Sequence, residues 1–356
     1  MMYKDRRRRL TSPISLFCAP ETMPHCKHHD LVEVSASAPH CLVDPNRLGR
    51  IAEVLLNPHR QQPLVIACVG AQEKTLALEQ LFPANDAKSR NARPSLCKAY
   101  VDVLTAHAPN PIVFLEVDIQ RELAVQDARA HCHQFKAFKI QAEVDTEKLD
   151  TMVLRRLILP FADVACIFVD DLGGLPATSQ YLQSWTSPRT EVSKDILCRL
   201  VLVVLDDGSG VSELEDVDVL ESLRTSTIGK IFASVRIQRV PKAPLRNVRY
   251  LPLREAVLKS DLEAAQASRH MHMSLYTATH LAALFSQCLA HTSKSVRRPF
   301  DIFEASRYGI PKLPQLTECL AAFLRAMRRE TVPHQSLASL LATALLMQAY
   351  PPSSHR

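Results

Sequence analysis

The chain has 356 residues, 47% of them hydrophobic and 22% charged, with a formal net charge of +6. That apolar share supports a full core, as one large domain with an appended lobe or as two domains. Most of the excess charge is Arg6-Arg7-Arg8-Arg9, so the remaining body is close to balanced and gives no basis for nucleic-acid binding.

Residues 1–46 read as an irregular, polar segment with the basic run and with Pro13, Pro20, Pro24, Pro39 and Pro45. Cys18, Cys26, His28 and Cys41 are residue types that ligate zinc, but their spacing closes no four-ligand pattern, and a weak adventitious site or a plain loop is the expectation. Asp44-Pro45-Asn46 opens a short helix from Arg47 to Leu56, closed by Asn57-Pro58. From 63 to about 252, strand-like runs at 64–69, 112–117, 164–169, 199–205 and 231–237, with a shorter one at 248–251, alternate with helical patterns at 74–82, 147–159, 175–185 and 211–225. Continuous apolar runs such as Leu200-Val201-Leu202-Val203-Val204-Leu205 suit strands buried on both faces. Residues 47–253 are therefore predicted to form a doubly wound α/β domain with a mostly parallel sheet.

Residues 254–350 predict an α-helical lobe, with helices at 254–269, 275–292, 313–329 and 335–348. On the last of these, the spacing of Leu337, Leu340, Leu341, Leu345 and Leu346 predicts an inward apolar face. The alternative is an exposed patch that docks a partner or a second copy, giving a homo-oligomer through the C-terminal helix. The ten cysteines form no C-x-x-C pair, and several lie in apolar runs as reduced thiols would. With no apolar leader near the start and no run long enough to span a membrane, an intracellular, cytoplasmic setting is expected.

The most informative stretch is Leu64-Val65-Ile66-Ala67-Cys68-Val69-Gly70-Ala71-Gln72-Glu73-Lys74-Thr75. A strand, a glycine turn and a helix N-terminus carrying Lys-Thr is the arrangement that cradles phosphate in a P-loop. The full motif G-x-x-x-x-G-K-[ST] has a second glycine and wider spacing, and both are absent here. Glu73, directly before Lys74, is expected to repel phosphate and to pair with that lysine. The candidate nucleotide-binding residues are thus Gly70, Lys74 and Thr75, in an eroded site.

A GTPase-like Mg²⁺ motif, D-x-x-G, would fall at the strand end Leu115-Glu116-Val117-Asp118-Ile119, where Glu116 takes the aspartate's place and Ile119 the glycine's. No N-K-x-D follows Leu205, so guanine reading is unsupported. Asp170-Asp171-Leu172-Gly173-Gly174 ends a strand at the edge where α/β sheets bind ligands. Its favoured reading is a strand-to-helix turn, with glycines for geometry. No G-x-S-x-G and no H-E-x-x-H occurs, which removes serine-hydrolase and zincin readings.

Taken in order, these segments resemble large fungal proteins of the patatin-like phospholipase type. In those proteins a Cys/His-rich zinc module, a P-loop GTPase-like domain and a helical segment accompany a patatin-like acyl hydrolase. The resemblance covers roughly residues 20–352. It rests on Met23-Pro24-His25 to Asp44-Pro45, Val69-Gly70 to Lys74-Thr75, Pro111-Ile112-Val113-Phe114 with Glu116, Phe161-Ala162-Asp163-Val164, Pro299-Phe300-Asp301-Ile302-Phe303, and Ala349-Tyr350-Pro351-Pro352. It implies a sheet of P-loop GTPase-like type. The hydrolase's serine and aspartate have no counterpart, so the expectation is a non-catalytic regulatory or protein-interaction module without a cofactor. The rival is a weakly active NTPase that holds GTP or ATP with Mg²⁺ through Lys74 and Thr75.

Overall fold

In the computed structural model the run Leu64–Gly70 is strand β3, and all seven of its residues are buried. The structure describes residues 29–35, 40–85, 95–119, 135–141, 149–185, 194–206, 213–242, 248–272, 274–295, 298–302, 305–306, 316–327 and 333–349. Around β3 stand β1 (Asp30–Ser35), β2 (Cys41–Asp44), β4 (Cys97–Val101), β5 (Ile112–Asp118), β6 (Lys136–Lys139), β7 (Val164–Phe168), β8 (Arg199–Asp206) and β9 (Ser234–Pro241). They form one nine-stranded sheet in the order β6-β2-β1-β4-β5-β3-β7-β8-β9. β5, β3, β7, β8 and β9 run parallel to one another, whereas β4, β1, β2 and β6 extend the sheet from β5 by antiparallel pairing. The fold is therefore mixed α/β, with the parallel part that the apolar runs predict and an antiparallel wing that they do not.

Successive β3 side chains serve opposite faces, as the pleat requires. Val65, Ala67 and Val69 join the core under α1 (Arg47–Val54) and α9 (Ala278–Lys294). Leu64, Ile66 and Cys68 join the core on the other face with Leu78 and Leu81 of α2 (Gln72–Leu81) and Leu253 of α7 (Leu251–Arg254). There Phe82 stacks on Phe114 at 4.0 Å between ring centres. The remaining helices are α3 (Leu149–Val153, continued by a π turn to Ile158), α4 (Leu175–Gln183), α5 (Glu213–Thr225), α6 (Ile228–Ile231), α8 (Leu262–Met271), α10 (Leu316–Met327) and α11 (His334–Ala349).

Several elements depart from the sequence reading. Residues 30–35 and 41–44, expected to be irregular, are strands, as are 97–101 and 136–139. All four are short, and their polar side chains break the apolar run that marks a buried strand. The strand expected at 231–237 lies at 234–241, because Ile228–Ile231 is helical and Phe232 ends that turn as a buried anchor. The strand expected at 248–251 is instead a turn into α7, where Gln80 Oε1 accepts the Tyr250 N–H at 2.8 Å and Pro252 occupies the first helical turn. On α11, Leu337 and Leu341 are half-buried but Leu340 is 52% exposed, so that position does not face inward; the Leu345 and Leu346 side chains lie outside the described residues. Among the described residues no helix is long and apolar enough to cross a membrane.

Candidate functional site

β3 ends at Gly70 and α2 begins at Gln72, so the unpaired N–H groups of the first helical turn open at the carboxyl edge of the sheet. β3 lies between β5 and β7, the place where the chain's connections diverge to the two sides and α/β sheets form a crevice. The register sets Gly70 opposite Asp118 and Cys68 opposite Glu116, which brings those carboxylates to the same end as the loop.

The crevice is closed by Asp171. After β7 the chain makes a single 3₁₀ turn, Asp170–Leu172, and leaves it through Gly173 and Gly174, whose φ angles of 88° and 99° are left-handed and favour glycine. Asp170 Oδ2 accepts the Leu205 N–H at 2.9 Å, which pins the turn to β8. Asp171 then reaches back to the loop. Its Oδ2 accepts from Ala71 N at 2.7 Å and Lys74 N at 3.0 Å, and its Oδ1 accepts from Glu73 N at 3.0 Å. A Cβ at Gly70 would stand 2.5 Å from Asp171 Oδ2, so a glycine is needed there for the carboxylate to seat. The donors that would hold a phosphate hold a side chain of the same molecule.

Lys74 is fully buried. Its Nζ lies 3.3 Å from Glu116 Oε1, forms a closer ion pair with Asp118 Oδ1, and donates to Val117 O at 3.4 Å. The expected Glu73–Lys74 pairing is thus corrected: Glu73 turns outward from the lysine. Its Oε2 accepts from Arg249 Nη1 at 3.1 Å and from the Tyr250 hydroxyl at 2.5 Å. Burial and the hydrogen bond to Glu73 together push the Tyr250 hydroxyl's pKa up. The Thr75 hydroxyl donates to Ala71 O at 2.9 Å, so it too is engaged within the loop.

The structure therefore brings Gly70, Lys74, Thr75 and Glu116 together. Asp171, read from sequence as part of a turn, also supplies the anion of the site, and Asp118 is the lysine's nearer partner. The signal for Asp171 was its place two residues past an apolar strand, followed by paired glycines. Of the zinc candidates, Cys18, Cys26 and His28 lie outside the described residues. Cys41 is on β2, separated from β3 by β1, β4 and β5. Among the described residues no group of three His, Cys, Asp or Glu side chains is arranged to hold a metal. No protein-family model matches the chain, and a comparison with curated proteins gives no match either.

Proposed function

We propose that this chain is a non-catalytic, P-loop GTPase-like module acting in regulation or protein interaction, related to the fungal patatin-like phospholipase-type proteins it resembles. The observation that carries this reading is the seating of Asp171 on the backbone donors of the loop. An incoming phosphate has to displace a carboxylate that accepts three N–H bonds, each a charge-assisted contact worth about 1.5–3 kcal/mol. It also meets Glu116 and Asp118, which already balance Lys74. The rival, a weak NTPase working through Lys74 and Thr75 with Mg²⁺, requires both side chains to leave their partners. A protein partner, or a second copy docking on α11, is the mode of action this reading expects, and exposed Leu340 on that helix is the place to probe it.

Calorimetric titration of the full chain with GTP and ATP, with and without Mg²⁺, tests the reading. The expected result is no saturation below about 1 mM, equivalent to less than about 4 kcal/mol of binding. A micromolar dissociation constant that Lys74→Ala abolishes overturns it.

A further inference from the structure

The two edges of the sheet differ. β6 has four residues with a lysine at each end, a short charged edge of the kind that resists further pairing. β9 has eight residues and pairs in parallel with β8 along its whole length. Its last residue settles which of its peptide groups face outward. Pro241 has no N–H, and Lys242 N donates to Asp206 O at 2.7 Å, so the ladder to β8 is made by the peptide groups of Arg236, Gln238 and Val240. Those of Val235, Ile237 and Arg239 point away from the sheet. At the ends of that row Val235 O accepts from Arg224 Nη2 at 3.2 Å, and Arg239 O accepts from Gln238 Nε2 at 3.1 Å. Between them, the Ile237 N–H and C=O meet no partner among the described residues.

The arginines of β9 do not guard this edge. Arg236 Nη2 pairs with Asp261 Oδ2 at 2.5 Å, and Arg239 Nε pairs with Asp216 Oδ2 of α5 at 2.7 Å, so both charges are balanced within the chain. Ile237 is half-buried, and Val217, the residue after Asp216, is 58% exposed. A long edge with balanced charge and an apolar middle is a template for another strand.

We infer that this chain forms a twofold dimer through β9, its sheet continuing into that of a second copy by antiparallel pairing centred on Ile237. Each Ile237 then exchanges its N–H and C=O with its counterpart, and Val235 lies opposite Arg239 of the other copy. A carbonyl oxygen has two lone pairs, so the bonds from Arg224 and Gln238 can be kept. Arg236 falls opposite Gln238 of the other copy, a side chain whose Oε1 already accepts from Arg236 Nη1 at 2.8 Å within the chain. Other registers fit worse. An axis at Arg236 or Arg239 sets a guanidinium against its own copy, and one at Gln238 sets Val235 against Pro241, which has no N–H to give. An axis at Val235 carries the pairing into the helical turn that ends at Ile231. The contact uses neither the Gly70 loop nor α11, so it stands apart from the function proposed above.

Sedimentation equilibrium of the full chain reads the mass in solution, and a dimer with a dissociation constant of about 10 μM or tighter is expected. Ile237→Pro removes the outward donor but leaves the ladder to β8 whole, because proline is tolerated on an edge strand where its N–H would face solvent. It should weaken the dimer by about tenfold or more. Leu340→Glu, on α11, should leave the dimer unchanged. Hydrogen exchange on the wild type decides if the proline variant fails to fold. The Ile237 amide should exchange slowly in concentrated protein and rapidly on dilution below the dissociation constant, while the Gln238 amide, bonded to β8, stays slow in both. A monomer at about 100 μM, a dimer that Ile237→Pro leaves intact, a dimer that Leu340→Glu dissolves, or Ile237 exchange that ignores concentration overturns the inference.

Discussion

Replacing Asp171 with alanine removes the acceptor of three backbone donors at once. Lys74 is wholly buried, so its N–H loses its partner with little access to water, at about 1–3 kcal/mol. Ala71 and Glu73 are half-buried, and water can partly replace the carboxylate there, leaving about 0.5 kcal/mol each. Loss of a negative charge at the α2 N-terminus adds about 0.3–1 kcal/mol. The sum predicts destabilisation of about 2–5 kcal/mol, and Asp171→Asn, which keeps one oxygen acceptor, should lose about half as much. The assay is urea unfolding in phosphate and in chloride at matched ionic strength. In the alanine variant the emptied donors should accept phosphate, and at about ten times its dissociation constant the anion restores about 1.4 kcal/mol. Wild type should respond to the two salts alike. An alanine variant within about 0.5 kcal/mol of wild type, or phosphate stabilising both proteins equally, refutes the account of Asp171 as the resident anion.

Three further outcomes follow from the same geometry. Lys74→Met leaves Glu116 and Asp118 buried without their cation and should cost about 3–5 kcal/mol in unfolding free energy, where a lysine idle until nucleotide binds would cost almost nothing. Gly70→Ala should destabilise wild type but much less an Asp171→Ala background, a coupling of about 1–2 kcal/mol in a double-mutant cycle, because the added Cβ meets the Asp171 carboxylate. Burial, with the Arg47 guanidinium next, pulls His29 from 6.5 down to about 4, while Arg47 Nη2 lies 2.8 Å from its Nδ1. The unfolded imidazole then takes its proton first, so stability is full above about pH 6.5 and is lost as pH falls toward 4, by about 1–2 kcal/mol after allowance for partial exposure. His29→Gln should flatten that slope in a pH series of unfolding curves.

What the sequence disclosed followed burial. β3, β5, β7 and β8 are buried on both faces and stood out as apolar runs within a residue or so of their observed ends. β6 is mostly exposed, with charged Lys136 and Lys139 at its ends, and no run of that kind marks it. β1 pairs with β4 across a register shift between Asp30 and Val32, an irregularity that no local pattern encodes. Gly70, Lys74 and Thr75 share one strand–turn–helix segment and Glu116 ends an apolar run, so each could be singled out from its local pattern, and the structure brings the four side by side. The partner of Glu73 could not be read that way, since Arg249 and Tyr250 lie more than 170 residues away along the chain. Asp171 sits about 100 residues beyond the loop it closes, and its role depends on β3 and β7 becoming neighbours.

The packing of α9 over α1 and the antiparallel wing also bears on how the chain is made. α1 ends at Val54, and the helix that covers it begins only at Ala278. At about 5–20 residues per second, the ribosome delivers that cover on the order of 10–50 s after α1 has been synthesised. For that interval Leu31, Leu42 and Ile51, all buried in the finished protein, have no helical roof. The nascent chain should accordingly engage holdase chaperones through its amino-terminal third, and release from them should coincide with translation past Lys294.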